Sequence, residues 1–175
     1  MGHKAVKHSE QSDHGHFHIY GAQRTLSDSL FYDGGNGLDQ FVTVFFGVLQ
    51  TDTGKMIYSN AGHNPAYVLH ANNGEQPESL PGTGIPLGMF EEMEWEQEEH
   101  YLLQGDTLLM YTDGVTEAQD ISQALYDDDR LLSISRANVG RSAEDIRKAI
   151  IQSISDFVGD APQFDDITLV VAVRT

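Results

Sequence analysis

The sequence has no cysteine among its 175 residues. Disulfide bonds, zinc–thiolate sites and thiol nucleophiles are therefore excluded. It also has no apolar run that approaches the length of a membrane span, and no signal-peptide pattern opens it. These absences favour a cytoplasmic protein that has no membrane partner.

Basic residues are scarce in this chain. It has 10 lysines and arginines against 27 aspartates and glutamates, which gives a formal net charge of −17 at pH 7. Nucleic-acid binding depends on basic side chains that contact phosphates, so no nucleic-acid partner is expected. An anionic membrane surface is disfavoured for the same reason. The acidity favours a soluble, self-repelling surface over a dedicated function.

The rest of the composition fits one folded domain. A length of 175 residues and an apolar fraction of 39% are enough to bury a sizeable core. We expect residues 1–20 to be a flexible leader, since polar termini are seldom ordered, and residues 21–175 to form the domain. The alternative for the leader is a metal-binding tract, because it contains five of the eight histidines: His3, His8, His14, His16 and His18.

Apolar and β-branched stretches predict the strands. They are 41–49, 55–59, 66–70, 107–112 and 167–173. Short polar turns join the first three, so we expect these to form an antiparallel meander. The fourth contains no charge, which indicates a strand buried on both faces. A further segment, 91–99, alternates glutamates with Met93, Trp95 and Gln97, and predicts an edge strand with a charged face.

Helical patterns occupy most of the remaining chain. Residues 126–137 begin with an aspartate cluster, which is favourable at the N-terminus of a helix. Residues 142–159 form the clearest helix, because Ser142 and Asp145 can cap its start and Gly159 can end it. A weaker helical pattern covers residues 25–32.

Aspartates stand at the ends of two predicted strands. Asp113-Gly114 follows 107–112, and Asp165-Asp166 precedes 167–173. If these strands are antiparallel neighbours, both carboxylate groups lie at the same end of the sheet. They would repel each other unless a cation lay between them, and Mg²⁺ or Mn²⁺ fits because neither cysteine nor a suitably spaced histidine pair is nearby. The plainer alternative is an Asp-Gly turn, and in both cases we expect Gly114 to let the chain turn sharply.

Six short motifs occur in a distinctive order along the chain. They are F-V-T at 41–43, A-G-H-N-P at 61–65, G-I-P-L-G at 84–88, G-D at 105–106, Y-T-D-G-V-T-E-A at 111–118 and D-D-I-T-L at 165–169. Each is modest alone, but together they are highly specific. From about Phe41 to Val173 the chain resembles the SpoIIE/RsbU-type branch of the metal-dependent (PPM, type 2C) serine/threonine protein phosphatases.

The resemblance implies an α+β fold, in which helices flank an antiparallel β-sandwich, and two Mn²⁺ or Mg²⁺ ions at one end of the sandwich. It implies that Asp113 and Asp165 are catalytic metal ligands, and it puts Gly114 and Asp166 at the same metal site. It also implies a phosphorylated regulatory protein of the anti-sigma-factor antagonist type as substrate and partner, and an upstream sensor or receiver domain. A homodimer is one of the assemblies that we expect.

The A-G-H-N-P motif supplies two further candidates. His63 and Asn64 could bind the substrate through its phosphate group. The alternative is structural: Asn64 ties down the turn and His63 makes an ordinary hydrogen bond.

The chain departs from the family in its first 40 residues. Two aspartate motifs normally precede the F-V-T strand, and neither has a recognisable counterpart here. Residues 13–16 echo one of them faintly, and Asp33-Gly34 is a poor match. The sequence therefore predicts a domain that is incomplete at its N-terminus, roughly the C-terminal two-thirds of the usual one. Two hypotheses follow: a phosphoprotein phosphatase, or a catalytically impaired interaction module of the same signalling pathway.

Overall fold

A computed structural model describes residues 23–28, 41–72, 76–90 and 93–175. The histidine-rich leader, and the weak aspartate candidates at 13–16 and 33–34, lie outside these ranges. Residues 23–28 are helical, and they overlap the weak pattern predicted at 25–32 in residues 25–28. The strands are β1 (Val44–Leu49), β2 (Lys55–Ala61), β3 (Ala66–Leu69), β4 (Glu78–Leu80), β5 (Glu98–Tyr101), β6 (Thr107–Tyr111) and β7 (Leu169–Val173). The helices are α1 (Asp113–Thr116), α2 (Asp127–Ala137) and α3 (Ala143–Val158).

The strands form two antiparallel sheets. The smaller has the order β1-β2-β5, and the larger has the order β4-β3-β6-β7. Buried side chains from both sheets pack together, and α2 and α3 cover the other face of the larger sheet. The α+β sandwich with flanking helices is thus confirmed. Among the residues that the structure describes, no helix combines the length and apolar character needed to cross a bilayer.

The predicted meander is wrong at its third strand. β1 and β2 form the expected hairpin, but β3 pairs with β4 and β6 in the other sheet. The chain leaves β2 at Ala61, and Gly62 adopts a φ of +69° that starts the crossing from one sheet to the other. A polar turn between two apolar stretches specifies a change of direction, but it does not specify which strand becomes the neighbour.

Strand β6 lies between two apolar cores. One fills the space between the sheets and contains Met56, Tyr58, Ala66, Val68, Leu80, Leu102 and Leu108. The other lies under the helices and contains Leu69, Leu109, Tyr111, Val115, Tyr126, Leu131, Ile146, Ile150 and Ile154. β6 supplies side chains to both, which confirms the prediction from its uncharged run. Burial of each large apolar side chain contributes roughly 1.5–3 kcal/mol to the stability of the fold. Strand β6 is therefore held rigidly, and it fixes the position of the residues that follow it.

The capping of α3 follows the sequence prediction. Ser142 Oγ accepts a hydrogen bond from the backbone N–H of Asp145 at 3.1 Å and donates one to Asp145 Oδ2 at 2.7 Å. Gly159 ends the helix with a φ of +57°. Ile146, Ile150 and Ile154 form its buried stripe against the larger sheet.

The described residues 93–97 of the acidic segment are not a strand. Pairing with β2 begins only at Glu98, where β5 forms the edge of the smaller sheet. Trp95 is buried, and its Nε1–H donates a hydrogen bond to the carbonyl oxygen of Ile85 at 2.7 Å. This contact ties residues 93–97 to the preceding loop, so the alternation of polar and apolar residues does not continue as a ladder.

Candidate functional site

Several connecting segments meet at one end of the sandwich, which we call the aspartate end. β6 finishes there at Tyr111, and the pairing of Tyr111 with Leu169 puts the start of β7 beside it. The start of β3 lies next to the same end of β6, and the loop 62–65 joins it to the end of β2. Asp113, Asp165 and the loop that contains His63 and Asn64 are therefore all at the aspartate end.

Thr112 joins the two segments that carry the aspartates. Its backbone N–H donates a hydrogen bond to the carbonyl oxygen of Thr168 at 3.1 Å. Its Oγ1 donates to the carbonyl oxygen of Asp166 at 3.0 Å and accepts from the backbone N–H of Thr168 at 3.0 Å. These three bonds extend the β6–β7 ladder beyond its last strand pair. They set the spacing between the Asp113 segment and the Asp165–Asp166 segment.

Gly114 is needed for space and not for a sharp turn. The chain continues from β6 directly into α1, and Gly114 does not have a positive φ. A Cβ atom at this position would lie 2.5 Å from the carbonyl oxygen of Asp166 and 3.4 Å from the carbonyl carbon of Asp165. The expectation of a turn glycine is therefore wrong. The glycine permits close approach of two backbones, because any larger residue would push the aspartate segments apart.

Each aspartate orients its own carboxylate group through one oxygen. Asp113 Oδ1 accepts a hydrogen bond from the Gly114 N–H at 3.0 Å, and Asp165 Oδ1 accepts one from the Asp166 N–H at 2.7 Å. All three aspartates at this end are exposed. Solvent and dissolved cations therefore reach both carboxylate groups, and Oδ2 is the oxygen that each can offer to a ligand.

The donor set fits one hydrated cation better than a complete two-ion site. In the described part of the chain, no group of three or more histidine or carboxylate side chains is placed to hold a metal ion. Mg²⁺ often binds through one or two carboxylates and retains several water molecules. Asp113 and Asp165 match that requirement. A second ion requires ligands beyond those that the described residues supply.

The loop at 62–65 is organised by Asn60. Its Oδ1 accepts a hydrogen bond from the His63 N–H at 2.8 Å, and its Nδ2 donates to the His63 carbonyl oxygen at 3.0 Å. The turn-tying role considered for Asn64 therefore belongs to Asn60. The His63 ring Nδ1 is 3.1 Å from Thr43 Oγ1, in the segment that precedes β1. Both candidates are half-buried at the aspartate end.

A tyrosine pair lies directly under the aspartate end. Tyr111 stacks on Tyr67 with ring centroids 6.1 Å apart, and its hydroxyl donates to Asp128 Oδ1 at 2.6 Å. Burial and this hydrogen bond raise the pKa of Tyr111 well above its usual range. The hydroxyl therefore stays protonated, and the ring anchors the last residue of β6 to the start of α2.

The fold and motifs belong to a known family. A model of the Stage II sporulation protein E (SpoIIE) family matches residues 18–175. The chain belongs to this family. Membership confirms the SpoIIE/RsbU-type resemblance that the six motifs carry.

Two curated relatives and a solved structure extend this SpoIIE-family match. Protein IcfG of Synechocystis is 31% identical over 153 residues, which are 87% of this chain and 24% of IcfG. Phosphoserine phosphatase RsbU of Bacillus subtilis is 28% identical over 134 residues, which are 77% of this chain and 39% of RsbU. The Mn-presoaked phosphatase domain of SpoIIE from Bacillus subtilis aligns with a TM-score of 0.58 at 14% identity, over 93% of this chain and 76% of that one. The chain thus spans about a quarter to two fifths of the curated relatives.

Sequence reasoning missed the residues that hold this SpoIIE-family site together. The sequence predicts Thr112 as the last residue of a strand and as part of the motif at 111–118, and it predicts Asn60 as part of a polar loop, with no bonding role for either. Thr112 bonds residues that are distant in the sequence, and Asn60 bonds a residue of the turn that follows it. A signal existed for Thr112, since a hydroxyl directly before an Asp-Gly pair can bond a neighbouring backbone.

Proposed function

We propose that this chain is the phosphatase part of a signalling protein, which hydrolyses phosphoserine or phosphothreonine on a regulatory protein of the anti-sigma-factor antagonist type. One observation carries the proposal: the segments of Asp113 and Asp165 are joined by Thr112 at one end of a SpoIIE-family sandwich. RsbU, which is named a phosphoserine phosphatase, supports the same reaction class.

Asp113 and Asp165 would hold Mn²⁺ or Mg²⁺. The Mn-presoaked SpoIIE structure supports Mn²⁺ as the first ion to test. When bound, such ions lower the pKa of water and offset the charge of a phosphate group. Such a cation would also offset the negative charge of the two exposed carboxylates, which otherwise repel a phosphate group.

The remaining residues of the aspartate end position the reactants. Thr112 and Gly114 keep the two carboxylate segments at a fixed separation. His63 and Asn64 are proposed to contact the phosphate group, because Asn60 and Thr43 hold their loop at the same end of the sandwich. Asp166 and Gly114 belong to the site through their backbones, which pack against each other.

Metal-dependent turnover tests the proposal. The chain is incubated with a phosphoserine protein, with and without Mn²⁺, and released phosphate is measured. Asp113→Asn is expected to lower turnover by about 100-fold or more, since even residues that only support metal ligands change activity by 10- to 100-fold. Asp52→Asn is the matched control, because Asp52 is an exposed aspartate in the β1–β2 turn at the opposite end. Turnover that does not need Mn²⁺, or that survives Asp113→Asn, contradicts the proposal.

A second candidate function is an interaction module that binds the phosphoprotein without hydrolysing it. The incomplete donor set among the described residues favours this candidate. It predicts binding of the phosphoserine protein that is lost when the phosphate is removed, together with no phosphate release in Mn²⁺. The assay above separates the two, because only the enzyme releases phosphate.

The remaining partners are proposed on the family resemblance. IcfG and RsbU are both longer than the matched region, which is compatible with a sensor or receiver domain in the same polypeptide. A homodimer is also proposed, and light scattering of the purified chain would test it.

A further inference from the structure

An apolar groove of about 280 Å³ lies directly beside Asp165. One wall is the outer part of α3, and the other is the segment that leads from α3 to β7. Apolar side chains dominate its lining: Ile151, Ile154, Val158, Pro162, Phe164 and Ile167. Glu117 and Asp165 lie at its polar margin, and both belong to segments of the aspartate end.

The groove exposes large apolar side chains at its mouth. Phe164 is 67% exposed and Ile151 is 39% exposed, whereas Ile154 at the base is only 3% exposed. Scattered single apolar residues are normal on a surface, but an apolar depression bordered by polar residues marks a binding surface. Here the exposed Phe164 is the neighbour of Asp165 in the chain.

The size of the groove limits its occupant. Pockets for small molecules usually enclose roughly 300–1,000 Å³, so this groove is at or below the lower limit. It suits one or two amino-acid side chains. Since Asp165 belongs both to the groove and to the proposed site, a polypeptide with its phosphorylated residue at the aspartate end passes the groove within a few residues.

We propose that the groove binds an apolar side chain of the phosphoprotein substrate, close in sequence to the phosphorylated serine or threonine. This inference rests on the proposed phosphatase function and assigns a substrate preference to it. Asp165 itself lines the groove, and an extended chain advances about 3.3 Å per residue, so the apolar side chain is expected within about four residues of the phosphorylated one. None of the described residues that line the groove is basic, and Glu117 and Asp165 repel an acidic side chain there.

Peptide binding tests the groove. The probes are fluorescein-labelled phosphoserine peptides that carry either leucine or aspartate at each of the four positions on either side of the phosphoserine. Binding is measured by fluorescence anisotropy without added Mn²⁺, so that the peptides are not hydrolysed during the measurement. We expect leucine at one of these positions to bind about 10-fold more tightly than aspartate. Equal binding of leucine and aspartate peptides at every position would overturn the proposal.

Two variants connect the preference to the groove. Ile151→Glu puts a charge at its mouth and is expected to abolish the leucine preference, and Phe164→Ala is expected to weaken it. Leu103→Glu is the matched control, because Leu103 is 58% exposed in the turn before β6, at the opposite end of the sandwich. If the leucine preference survives Ile151→Glu, or if Leu103→Glu removes it equally, the groove is not the origin of the preference.

Two further measurements distinguish a failure of the proposed phosphatase function from a failure of the proposed groove. Hydrolysis of p-nitrophenyl phosphate in Mn²⁺ reports on the phosphatase site alone, because this compound has no side chain to occupy the groove. It should be unchanged in Ile151→Glu. If the wild-type protein does not hydrolyse it, the phosphatase function fails while the peptide preference still reports on the groove. If Ile151→Glu lowers the molar mass in light scattering, a second copy covers the groove and the substrate assignment is wrong.

Discussion

Thr112 and Gly114 stand on either side of Asp113, and both act on the segment that carries Asp165. Thr112 bonds the backbone at Asp166 and Thr168, and Gly114 leaves room for the Asp166 carbonyl group. The acidic side chains are therefore held by neighbours that have no charge. At the residue scale, the T-D-G sequence is a packing requirement as well as the source of one proposed metal ligand.

Gly114→Ala should disturb the site without changing any of its charges. The new Cβ would lie 2.5 Å from the Asp166 carbonyl oxygen, so one of the two backbones must move. We expect a loss of about 1–3 kcal/mol in the free energy of unfolding, measured by urea denaturation. The matched control is Gly82→Ala, whose Cβ would be 3.9 Å from the nearest atom, the carbonyl oxygen of Asn60. An equal loss in both variants would show that the close approach at Gly114 is unimportant.

Thr112→Val keeps the shape of the side chain and removes its hydroxyl group. Two hydrogen bonds disappear, and the Thr168 N–H loses its acceptor. We expect a loss of about 1–3 kcal/mol in the free energy of unfolding and weaker Mn²⁺ binding, measured by urea denaturation and calorimetry. Thr51→Val, in the exposed β1–β2 turn, should change neither quantity. If Thr112→Val leaves the Mn²⁺ affinity unchanged, Thr112 does not support the proposed metal site.

At the scale of elements, Asp106 joins neighbouring segments at the opposite end of the larger sheet, as Thr112 joins them at the aspartate end. It is 1% exposed, and its carboxylate group accepts hydrogen bonds from the Leu103 N–H at 2.8 Å and the Ala71 N–H at 3.2 Å. The His70 ring Nδ1 lies 3.2 Å away. These contacts join the end of β3 to the turn that begins β6. The G-D motif is thus structural, although it was recognised together with the metal motifs.

Asp106→Ala should destabilise the fold and leave metal binding intact. It leaves two backbone N–H groups without their acceptor, and we expect a loss of about 2–4 kcal/mol in the free energy of unfolding. Asp160→Ala, at an exposed aspartate after α3, should stay within about 0.5 kcal/mol of the wild type. A fall in Mn²⁺ affinity for the folded Asp106→Ala protein would contradict this division between the two ends.

The same scale shows what the sequence can and cannot predict. The uncharged run of β6 and the Ser142–Asp145 cap of α3 depend on nearby residues, and both are observed. The crossing of β3 into the other sheet depends on which strands pair, and local patterns do not contain that information. The strand predicted from the alternation at 91–99 fails at 93–97 for a related reason, because Trp95 packs in a distant cluster with Ala61 and Leu87 and bonds the Ile85 carbonyl oxygen.

The candidate site was predictable to the same limited extent. The two strand patterns were predicted, but their antiparallel pairing was only a condition of the metal-site hypothesis, and the register of β6 and β7 meets that condition. The roles of Asp113 and Asp165 as metal ligands stay predictions, since the structure gives neighbouring segments and not a bound ion. The apolar groove could not be predicted from the sequence. Its two walls, α3 and the segment 161–167, carry apolar residues, and a hydrophobic pattern assigns such residues to the core.

At the scale of the whole molecule, the chain combines a strongly acidic composition with a proposed site for an anionic substrate. A cation bound at the aspartate end would offset part of the local negative charge as a phosphate group approaches. It would also give a reason for two aspartate-bearing segments to lie next to each other at an exposed end of the sandwich. Their mutual repulsion is acceptable when they share an ion.

Mn²⁺ binding in a double-mutant cycle tests this claim most directly. Calorimetry gives the Mn²⁺ affinity of the wild type, Asp113→Asn, Asp165→Asn and the double variant, with Asp52→Asn as control. If the two carboxylates share one ion, each single variant should lose at least about 10-fold in affinity, and the double variant should lose much less than the two losses added together. Strictly additive losses, or an affinity that neither variant changes, would contradict the shared cation.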